Sequence, residues 1–286
     1  MSLSNQLSFN NCDLSLSLAH AGTVDGMADL LIVGGGKMGE ALLGGLLNAG
    51  HERDKIVVVE PLEERRMEIS KRYGIVCSSK IEPCNGAILA TKPNIVPEVA
   101  SLLTEIGVKR VLSIAAGVTT STIDDSTGGK VPVIRAMPNT PALVGEGASA
   151  ICGNVAATED DFLWAESILG GVGLVVRTNE TLLNSVTGLS GSGPAYIFLV
   201  AEALIDAGVL VGLPRKISTN LTIQTLLGAA KLLAEGKSAA ELRADVTSPG
   251  GTTAAGLHEL EKSGMRVALA SAVKAATQRS EELGRS

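Results

Sequence analysis

Short apolar runs alternate with longer, partly polar stretches along the first part of the chain. From residue 28, runs such as ADLLIV at 28–33 and KIVVVE at 55–60 have few polar positions, as is typical of buried strands. The segments between them, including 38–49 and 62–73, have the length of helices. Strands alternating with helices predict a parallel, doubly wound sheet. The predicted strands are residues 28–33, 55–60, 86–91, 110–115, 131–135, 148–152 and 173–177.

Strand signals stop after residue 178, and the remaining sequence predicts helices rich in Ala and Leu. The stretch from 195 to 213 is apolar around most of its circumference, which a small domain cannot bury by itself. We therefore predict a homodimer formed through the C-terminal helices. The predicted helices are residues 180–189, 194–211, 214–234, 239–244, 252–262 and 265–283.

These patterns predict an α/β protein in which a doubly wound sheet at 28–178 precedes an all-helical domain at 179–286. Residues 1–27 are polar and lack the basic start and continuous apolar stretch of a signal peptide. We expect them to be an extension outside the fold. Without an export signal, the expected location is the cytoplasm.

Composition and charge exclude several classes of protein. The chain has 24 Lys and Arg residues against 30 Asp and Glu residues, and its net charge of −6 argues against nucleic-acid binding. Glu202 and Asp206 interrupt the longest apolar run, which argues against a membrane span. The four cysteines form no CxxC pair, and no histidine cluster lies near them. We therefore predict reduced thiols and no metal site.

A glycine-rich turn directly follows the first predicted strand and opens a helix. Its sequence, GGGKMG at 34–39, fits GxGxxG, and the second predicted strand ends in an acid, Glu60. Such glycines allow a tight turn, and they let backbone N–H groups approach a pyrophosphate at a helix N-terminus. This context predicts a Rossmann-type dinucleotide site, with cofactor contacts from Gly34, Gly36, Lys37, Met38, Gly39 and Glu60.

The sequence leaves the choice of dinucleotide open. Glu60 can accept a hydrogen bond from a ribose 2′-hydroxyl, as for NADH, whereas Arg65 and Arg66 can pair with a 2′-phosphate, as for NADPH. The ordinary alternative for the two arginines is a solvated helix face. The expected cofactor is therefore NADPH or NADH.

Three further loops end predicted strands at the sheet's carboxyl edge, where open α/β folds bind ligands. The simpler interpretation of each loop is ordinary turn chemistry. The residues predicted to contact the cofactor there are Thr91, Lys92, Pro93, Ala115, Ala116, Gly117, Met137, Pro138 and Asn139.

A hydroxyl- and glycine-rich turn, TSPGGTT at 247–253, leads into a predicted helix. Its exposed backbone N–H groups can hold a carboxylate. The alternative, which spacing alone favours, is an ordinary helix cap by Ser248 or Thr252. Neither a metal motif nor a serine or cysteine nucleophile beside a histidine accompanies this turn, so hydrolase chemistry is not expected.

Over residues 28–284 the sequence resembles the pyrroline-5-carboxylate reductase family. The similar segments are GGGKMG at 34–39, ATKP at 90–93, RAMPNTPALVGEG at 135–147, SGSGPAY at 190–196 and VTSPGGTT at 246–253. The resemblance implies reduction of the cyclic imine 1-pyrroline-5-carboxylate to L-proline with NAD(P)H, the last step of proline synthesis. It also implies interlocked dimers, which in some members assemble further around a fivefold axis, as in a decamer.

The resemblance assigns the substrate to the turn at 247–253. The hydroxyl of Thr253 is implied to hydrogen-bond the ring nitrogen and is the implied catalytic group. The implied substrate-binding residues are Ser248, Gly250, Gly251, Thr252 and Thr253.

Two other functions remain as alternatives. Another imine reductase or a β-hydroxyacid dehydrogenase shares this layout, but the latter needs a catalytic lysine in a motif that Lys216, Lys231 and Lys237 do not match. A non-catalytic dinucleotide sensor would need the glycine turn but not the turn at 247–253.

Overall fold

The computed structural model describes residues 28–284. The predicted extension at 1–27 lies outside the described residues. The chain forms two compact units, the first ending at Glu180 and the second beginning at Thr181.

The first unit is built on an eight-stranded sheet in the order β3-β2-β1-β4-β5-β6-β7-β8. The chain moves outward from β1 to β3 and then returns to the other side of β1, so the strand order reverses between β1 and β4. In open α/β sheets, ligands bind at this reversal, outside the carboxyl ends of the strands. The strands are β1 (Ala28–Val33), β2 (Ile56–Val59), β3 (Val76–Ser78), β4 (Cys84–Leu89), β5 (Arg110–Ser113), β6 (Val133–Met137), β7 (Gly147–Gly153) and β8 (Gly173–Arg177).

The predicted parallel, doubly wound sheet is confirmed, and it has one antiparallel pair near its edge. Strands β1 to β6 are parallel, but β7 pairs antiparallel to β6, and β8 runs parallel to β7. Only a short 3-10 helix, Thr140–Val144, and its flanking turns connect β6 to β7. A parallel pair needs a crossover of about a dozen residues or more, so this connection returns the chain in the opposite direction.

Helices cover both faces of the sheet because successive side chains of a strand point to opposite faces. Leu31 and Val33 of β1 belong to one apolar cluster, and Leu30 and Ile32 belong to the other. The first cluster includes side chains of α3 and α4, and the second includes side chains of α1, α2 and α5. These helices are α1 (Lys37–Asn48), α2 (Glu63–Tyr73), α3 (Val96–Glu105), α4 (Thr120–Thr127) and α5 (Glu159–Gly170).

The second unit is helical, as predicted. The predicted helix at 180–189 is wrong in detail, because a 3-10 turn, a short helix and a π-helical turn, Thr187–Gly191, share this segment. A Cβ on Gly188 would lie 2.2 Å from Thr277 Oγ1, so this turn packs closely against the last helix. The helices are α6 (Leu183–Val186), α7 (Gly193–Leu210), α8 (Arg215–Ala234), α9 (Ala239–Asp245), α10 (Thr252–Lys262) and α11 (Met265–Leu283).

Helix α7 exposes apolar side chains on several sides, and none of its residues is buried. Phe198 is 64% exposed and Leu199 is 65% exposed. The helical stretch Glu180–Leu210 is long and apolar enough to cross a membrane by length and composition. It carries Glu202 and Asp206, however, and ionised carboxylates in lipid are costly. A second protein surface is therefore the cover that suits this helix.

Candidate active site

The turn between β1 and α1 requires glycine at two of its positions. Gly34 has a φ of +113°, and a Cβ there would lie 2.5 Å from the carbonyl oxygen of Ala90. A Cβ on Gly39 would lie 2.2 Å from the carbonyl oxygen of Gly34. The Gly34 N–H donates to the carbonyl of Val59 at 2.8 Å. The turn is thus held against the ends of β2 and β4.

Gly36 differs, because a Cβ there would meet no protein atom within 4 Å. It is the N-cap of α1, and no side chain caps this helix. The N–H groups of the first turn, from Lys37 onward, therefore have no side-chain acceptor, and the helix dipole adds positive potential. A dinucleotide pyrophosphate fits this place because its oxygens supply the acceptors and the missing side chain leaves room for close approach.

Glu60 follows β2 and is only 9% exposed. Its Oε2 accepts the N–H of Gly35 at 2.9 Å, and its Oε1 accepts the N–H of Leu62 at 3.0 Å. One carboxylate therefore fixes both the glycine turn and the bend that leads into α2. A carboxylate has about four lone-pair positions, so it can still accept a hydrogen bond from a ribose hydroxyl.

Arg65 and Arg66 are not a solvated helix face, so that alternative interpretation is wrong. Arg65 Nε donates to the carbonyl of Gly35 at 2.7 Å, and its terminal nitrogens bind the carboxylates of Glu40 and Glu68. A terminal nitrogen of Arg66 donates to the carbonyls of Glu60 and Pro61 at 2.8 and 2.7 Å. Both side chains are half-buried and brace the cofactor turn.

Glu40, in the first turn of α1, connects this turn to the end of α2. Its carboxylate accepts hydrogen bonds from Arg65, Arg72 and the hydroxyl of Tyr73. Burial raises the pKa of Glu40, but these donors outweigh burial and hold the pKa below its ordinary value. The charge of Arg65 is thus compensated inside the protein.

The loop after β4, which contains Thr91, Lys92 and Pro93, begins beside the glycine turn, where Gly34 lies close to the backbone of Ala90 and Thr91. The Thr91 hydroxyl oxygen is buried and has no hydrogen-bond partner within residues 28–284. An unpaired buried hydroxyl is unusual and suits a site completed by a ligand or a water molecule. Lys92 is exposed, and Pro93 begins a 3-10 helix ahead of α3.

The loops after β5 and β6 lie at the same sheet edge. Ala115 is buried, Ala116 is exposed, and Gly117 has a φ of +78°, which turns the backbone sharply. Asn139 occupies the N-cap position of the following 3-10 segment, and its Oδ1 accepts the N–H of Ala148 at 2.8 Å. The side-chain amide oxygen of Asn139 therefore has a structural role at the start of β7. Met137 ends β6, and the adjacent Pro138 is buried.

The sequence analysis missed an ion pair in the first unit. Arg135 of β6 is 8% exposed, and one of its terminal nitrogens donates to Glu180 Oε1 at 2.8 Å. The same carboxylate accepts the N–H and hydroxyl of Thr120, at the start of α4, at 2.8 and 2.7 Å. An arginine inside an apolar run was the available signal, because a buried guanidinium needs an acceptor.

We expect Glu180→Gln to lower the free energy of unfolding by about 1–2 kcal/mol, a value reduced for the partial exposure of Glu180. Burial raises the pKa of Glu180, but the hydrogen bonds from Thr120 and Arg135 outweigh it and hold the pKa below the ordinary value of a glutamate. The carboxylate therefore stabilises the fold above the pKa that it has in the unfolded chain, and this contribution is lost as the pH falls through the folded-state pKa.

Denaturant unfolding at about pH 7 and about pH 3.5, at one protein concentration, measures this contribution. The variant should differ from wild type mainly at the higher pH. Glu63→Gln, which removes an exposed carboxylate on α2, is the control. Equal losses at both pH values would contradict the assignment to the ionised pair.

In the second unit, the turn before α10 depends on two glycines. Gly250 has a φ of +66°, and a Cβ on Gly251 would lie 2.4 Å from Ser248 Oγ. The predicted alternative of a cap by Ser248 or Thr252 is wrong. The N-cap is Gly251, no side chain caps the helix, and the Gly251 N–H donates to the carbonyl of Ser248 at 3.1 Å.

The first turn of α10 is consequently open to an anion at its backbone N–H groups. Thr252 is exposed and Thr253 is half-buried. The Thr253 hydroxyl makes no side-chain hydrogen bond within residues 28–284. A ligand can therefore bind this turn with its carboxylate at the backbone N–H groups and a neighbouring polar atom at the Thr253 hydroxyl.

Other potentially reactive side chains, two cysteines, a serine and a histidine, do not form a nucleophilic site within the described residues. Burial raises the pKa of Cys84 to about 12 and that of Cys152 to about 11, so both remain thiols at neutral pH. Ser192 precedes α7 and follows a π-helical turn, which is not the strand-to-helix elbow of a hydrolase. His258 is exposed on α10.

The strand reversal, the glycine turn and the uncapped α1 define a Rossmann-type oxidoreductase fold with a separate helical unit. Residues 29–117 match the family described as NADP oxidoreductase, coenzyme F420-dependent, and residues 180–283 match that described as pyrroline-5-carboxylate reductase dimerisation. The chain is 40% identical over 269 residues to the pyrroline-5-carboxylate reductase of Corynebacterium melassecola, covering 91% of this chain and 100% of that protein. It therefore belongs to the pyrroline-5-carboxylate reductase family.

Further relatives agree. The Synechocystis pyrroline-5-carboxylate reductase is 44% identical over 261 residues, covering 89% of this chain and 97% of that protein. The Coxiella burnetii enzyme structure matches with a TM-score of 0.85 at 35% identity, covering 90% of this chain and 99% of that one. A Plasmodium falciparum pyrroline carboxylate reductase with NADP bound matches with a TM-score of 0.79 at 31% identity, covering 91% and 100%.

Proposed function

We propose that this protein reduces 1-pyrroline-5-carboxylate to L-proline with NADH or NADPH. The observation that carries the substrate assignment is the turn before α10. It combines a helix N-terminus without a side-chain cap and a Thr253 hydroxyl that makes no side-chain hydrogen bond within residues 28–284. The names of the relatives indicate the substrate, and the turn provides chemistry that suits it.

The substrate carboxylate binds at the N-terminus of α10. The backbone N–H groups of Thr252 and Thr253, in the first turn, have no side-chain cap within residues 28–284, and the helix dipole favours a negative group. The left-handed Gly250 and the close Gly251–Ser248 contact shape the turn. The turn before α10 thus uses the same physical principle as the pyrophosphate turn at α1.

Thr253 orients the imine by a hydrogen bond between its hydroxyl and the ring nitrogen. When bound, the nicotinamide supplies the hydride that turns the imine carbon into an amine carbon. A protonated imine is already electrophilic, so the protein has to orient it and needs no strong general acid. The absence of a histidine or lysine from the turn at 247–253 agrees with this requirement.

The dinucleotide is held at the sheet's carboxyl edge. Gly34, Gly36 and Gly39 allow the pyrophosphate to approach the N–H groups of Lys37 and Met38, and Glu60 lies at the ribose. The proposed contacts at the nicotinamide end come from Thr91, Lys92, Pro93, Ala115, Ala116, Gly117, Met137, Pro138 and Asn139.

Conversion of the imine to proline tests this function. Purified protein, 1-pyrroline-5-carboxylate and reduced nicotinamide should give L-proline in equal amount to the nicotinamide oxidised, as measured by absorbance and chiral amino-acid analysis. A β-hydroxy acid with oxidised cofactor serves as the comparison substrate. Turnover of the β-hydroxy acid without imine reduction would favour the dehydrogenase alternative.

We propose a homodimer as the basic assembly, with a decamer as the larger form that the family resemblance implies, and a cytoplasmic location. The support for a dimer is the exposed apolar surface of α7 within the segment that matches the dimerisation family. Substitution of Phe198 by Asp should give monomers in light scattering, because an unpaired charge would be buried in the interface. Val155→Asp, which changes a fully exposed apolar residue of the first unit, should keep the wild-type mass.

A further inference from the structure

The end of the cofactor site that would meet the adenosine ribose is built around Glu60. Both carboxylate oxygens already accept backbone N–H groups, and the side chain is 9% exposed. These bonds fix the carboxylate between the glycine turn and α2, at the position that receives the ribose in this fold. Moving it away would leave two backbone donors unpaired.

The nearby arginines are committed to partners within the protein. Arg65 is shared between Glu40 and Glu68, so two carboxylates face one guanidinium. Arg66 is turned toward the carbonyls of Glu60 and Pro61. Arg65 uses all three of its nitrogens in these contacts, so it cannot take a phosphate as its main partner without giving one up.

The first turn of α2 adds negative charge to this region. Glu63 and Glu64 are both exposed at the N-terminal end of that helix. A ribose 2′-hydroxyl can donate a hydrogen bond to Glu60, whereas a 2′-phosphate brings close to two negative charges at neutral pH into this acidic region.

We propose that Glu60 makes this enzyme prefer NADH to NADPH, because its fixed carboxylate accepts the ribose hydroxyl and repels a 2′-phosphate, while the charge of Arg65 is already shared by two carboxylates. The preference rests on the proposed dinucleotide site but not on the identity of the imine. It contrasts with the related Plasmodium falciparum structure, which has NADP bound.

Calorimetric titration of the full chain with NADH and NADPH, without imine substrate, tests this proposal. We expect NADH to bind at least about tenfold more tightly. Glu60→Gln removes the charge and should bring the two dissociation constants within about threefold of each other, mainly by improving NADPH binding. Glu105→Gln, which removes an exposed carboxylate at the end of α3, outside this acidic cluster, should keep the wild-type ratio.

Two further variants distinguish the roles of charge and arginine. Glu60→Asp keeps the charge and should retain the NADH preference. If Glu60→Gln binds neither dinucleotide, loss of the preference in Glu60→Asp would contradict the proposal. Arg66→Gln should change the ratio by less than about threefold, since Arg66 is bound to backbone carbonyls.

Equal or tighter binding of NADPH by the wild type would overturn the proposal. A loss of NADPH binding alone in Arg66→Gln would overturn it as well. Failure of the proposed function is a separate result, because a protein that discriminates between the dinucleotides but reduces no imine would still carry this specificity.

Discussion

Replacing Thr253 by Ala should lower kcat/KM for 1-pyrroline-5-carboxylate by roughly thirty- to several-hundred-fold, and leave the dissociation constant of the dinucleotide unchanged. The hydroxyl is the one side-chain group at the turn before α10 that we assign to the ring nitrogen. Losing one oriented hydrogen bond to a charged centre costs about 2–4 kcal/mol of transition-state stabilisation, by analogy with oxyanion-hole groups.

Thr253→Ser is the matched control because it keeps the hydroxyl and removes only a methyl group. It should retain most of the wild-type rate. Steady-state kinetics of the three proteins, with dinucleotide titration alongside, separates catalysis from folding. A rate near wild type for Thr253→Ala would contradict the assignment of this residue.

Gly36→Ala should lower kcat/KM by about a hundredfold through loss of dinucleotide binding, since a displacement of about 1 Å at a reacting geometry has effects of this size. The added methyl group meets no protein atom within 4 Å, so folding should be unaffected. It would occupy the space through which the pyrophosphate approaches α1.

The control is Gly170→Ala, at the last residue of α5, where an added Cβ also meets no atom within 4 Å. It should bind the dinucleotide as wild type does. Thermal unfolding of both variants and calorimetric titration with NADH provide the comparison. Normal NADH binding by Gly36→Ala would place the pyrophosphate elsewhere.

Local sequence patterns predicted most elements of the fold, because the spacing of apolar residues and the residues at helix ends depend on positions close together in the sequence. The predicted helices at 252–262 and 265–283 match α10 and α11, which are separated at Gly264, where φ is +75°. Strand β3 was missed because it has three residues and Val76 is 57% exposed. Helices α3, α4 and α5 lie between predicted strands but were given no bounds from the sequence, and α4, with the sequence TSTIDDST, has residues of little intrinsic helix preference.

The site depends on contacts between residues that are far apart in the sequence. The spacing of residues within one motif does not predict such contacts. GxGxxG predicted the cofactor turn, but the Glu60 bond to the Gly35 N–H and the Arg65 bond to the Gly35 carbonyl exist only once β2 and α2 are in place. The same is true of the pair between Arg135 and Glu180. Spacing also favoured a side-chain cap before α10, whereas the backbone path places Gly251 at that position.

Transfer of deuterium from labelled cofactor tests the central claim most directly. Nicotinamide carrying deuterium in place of the transferred hydride would be mixed with 1-pyrroline-5-carboxylate and the wild-type protein, and the product would be analysed by mass spectrometry and NMR. Our account predicts L-proline with deuterium on the ring carbon that was the imine carbon. Unlabelled proline, or bound cofactor that is never oxidised, would contradict it.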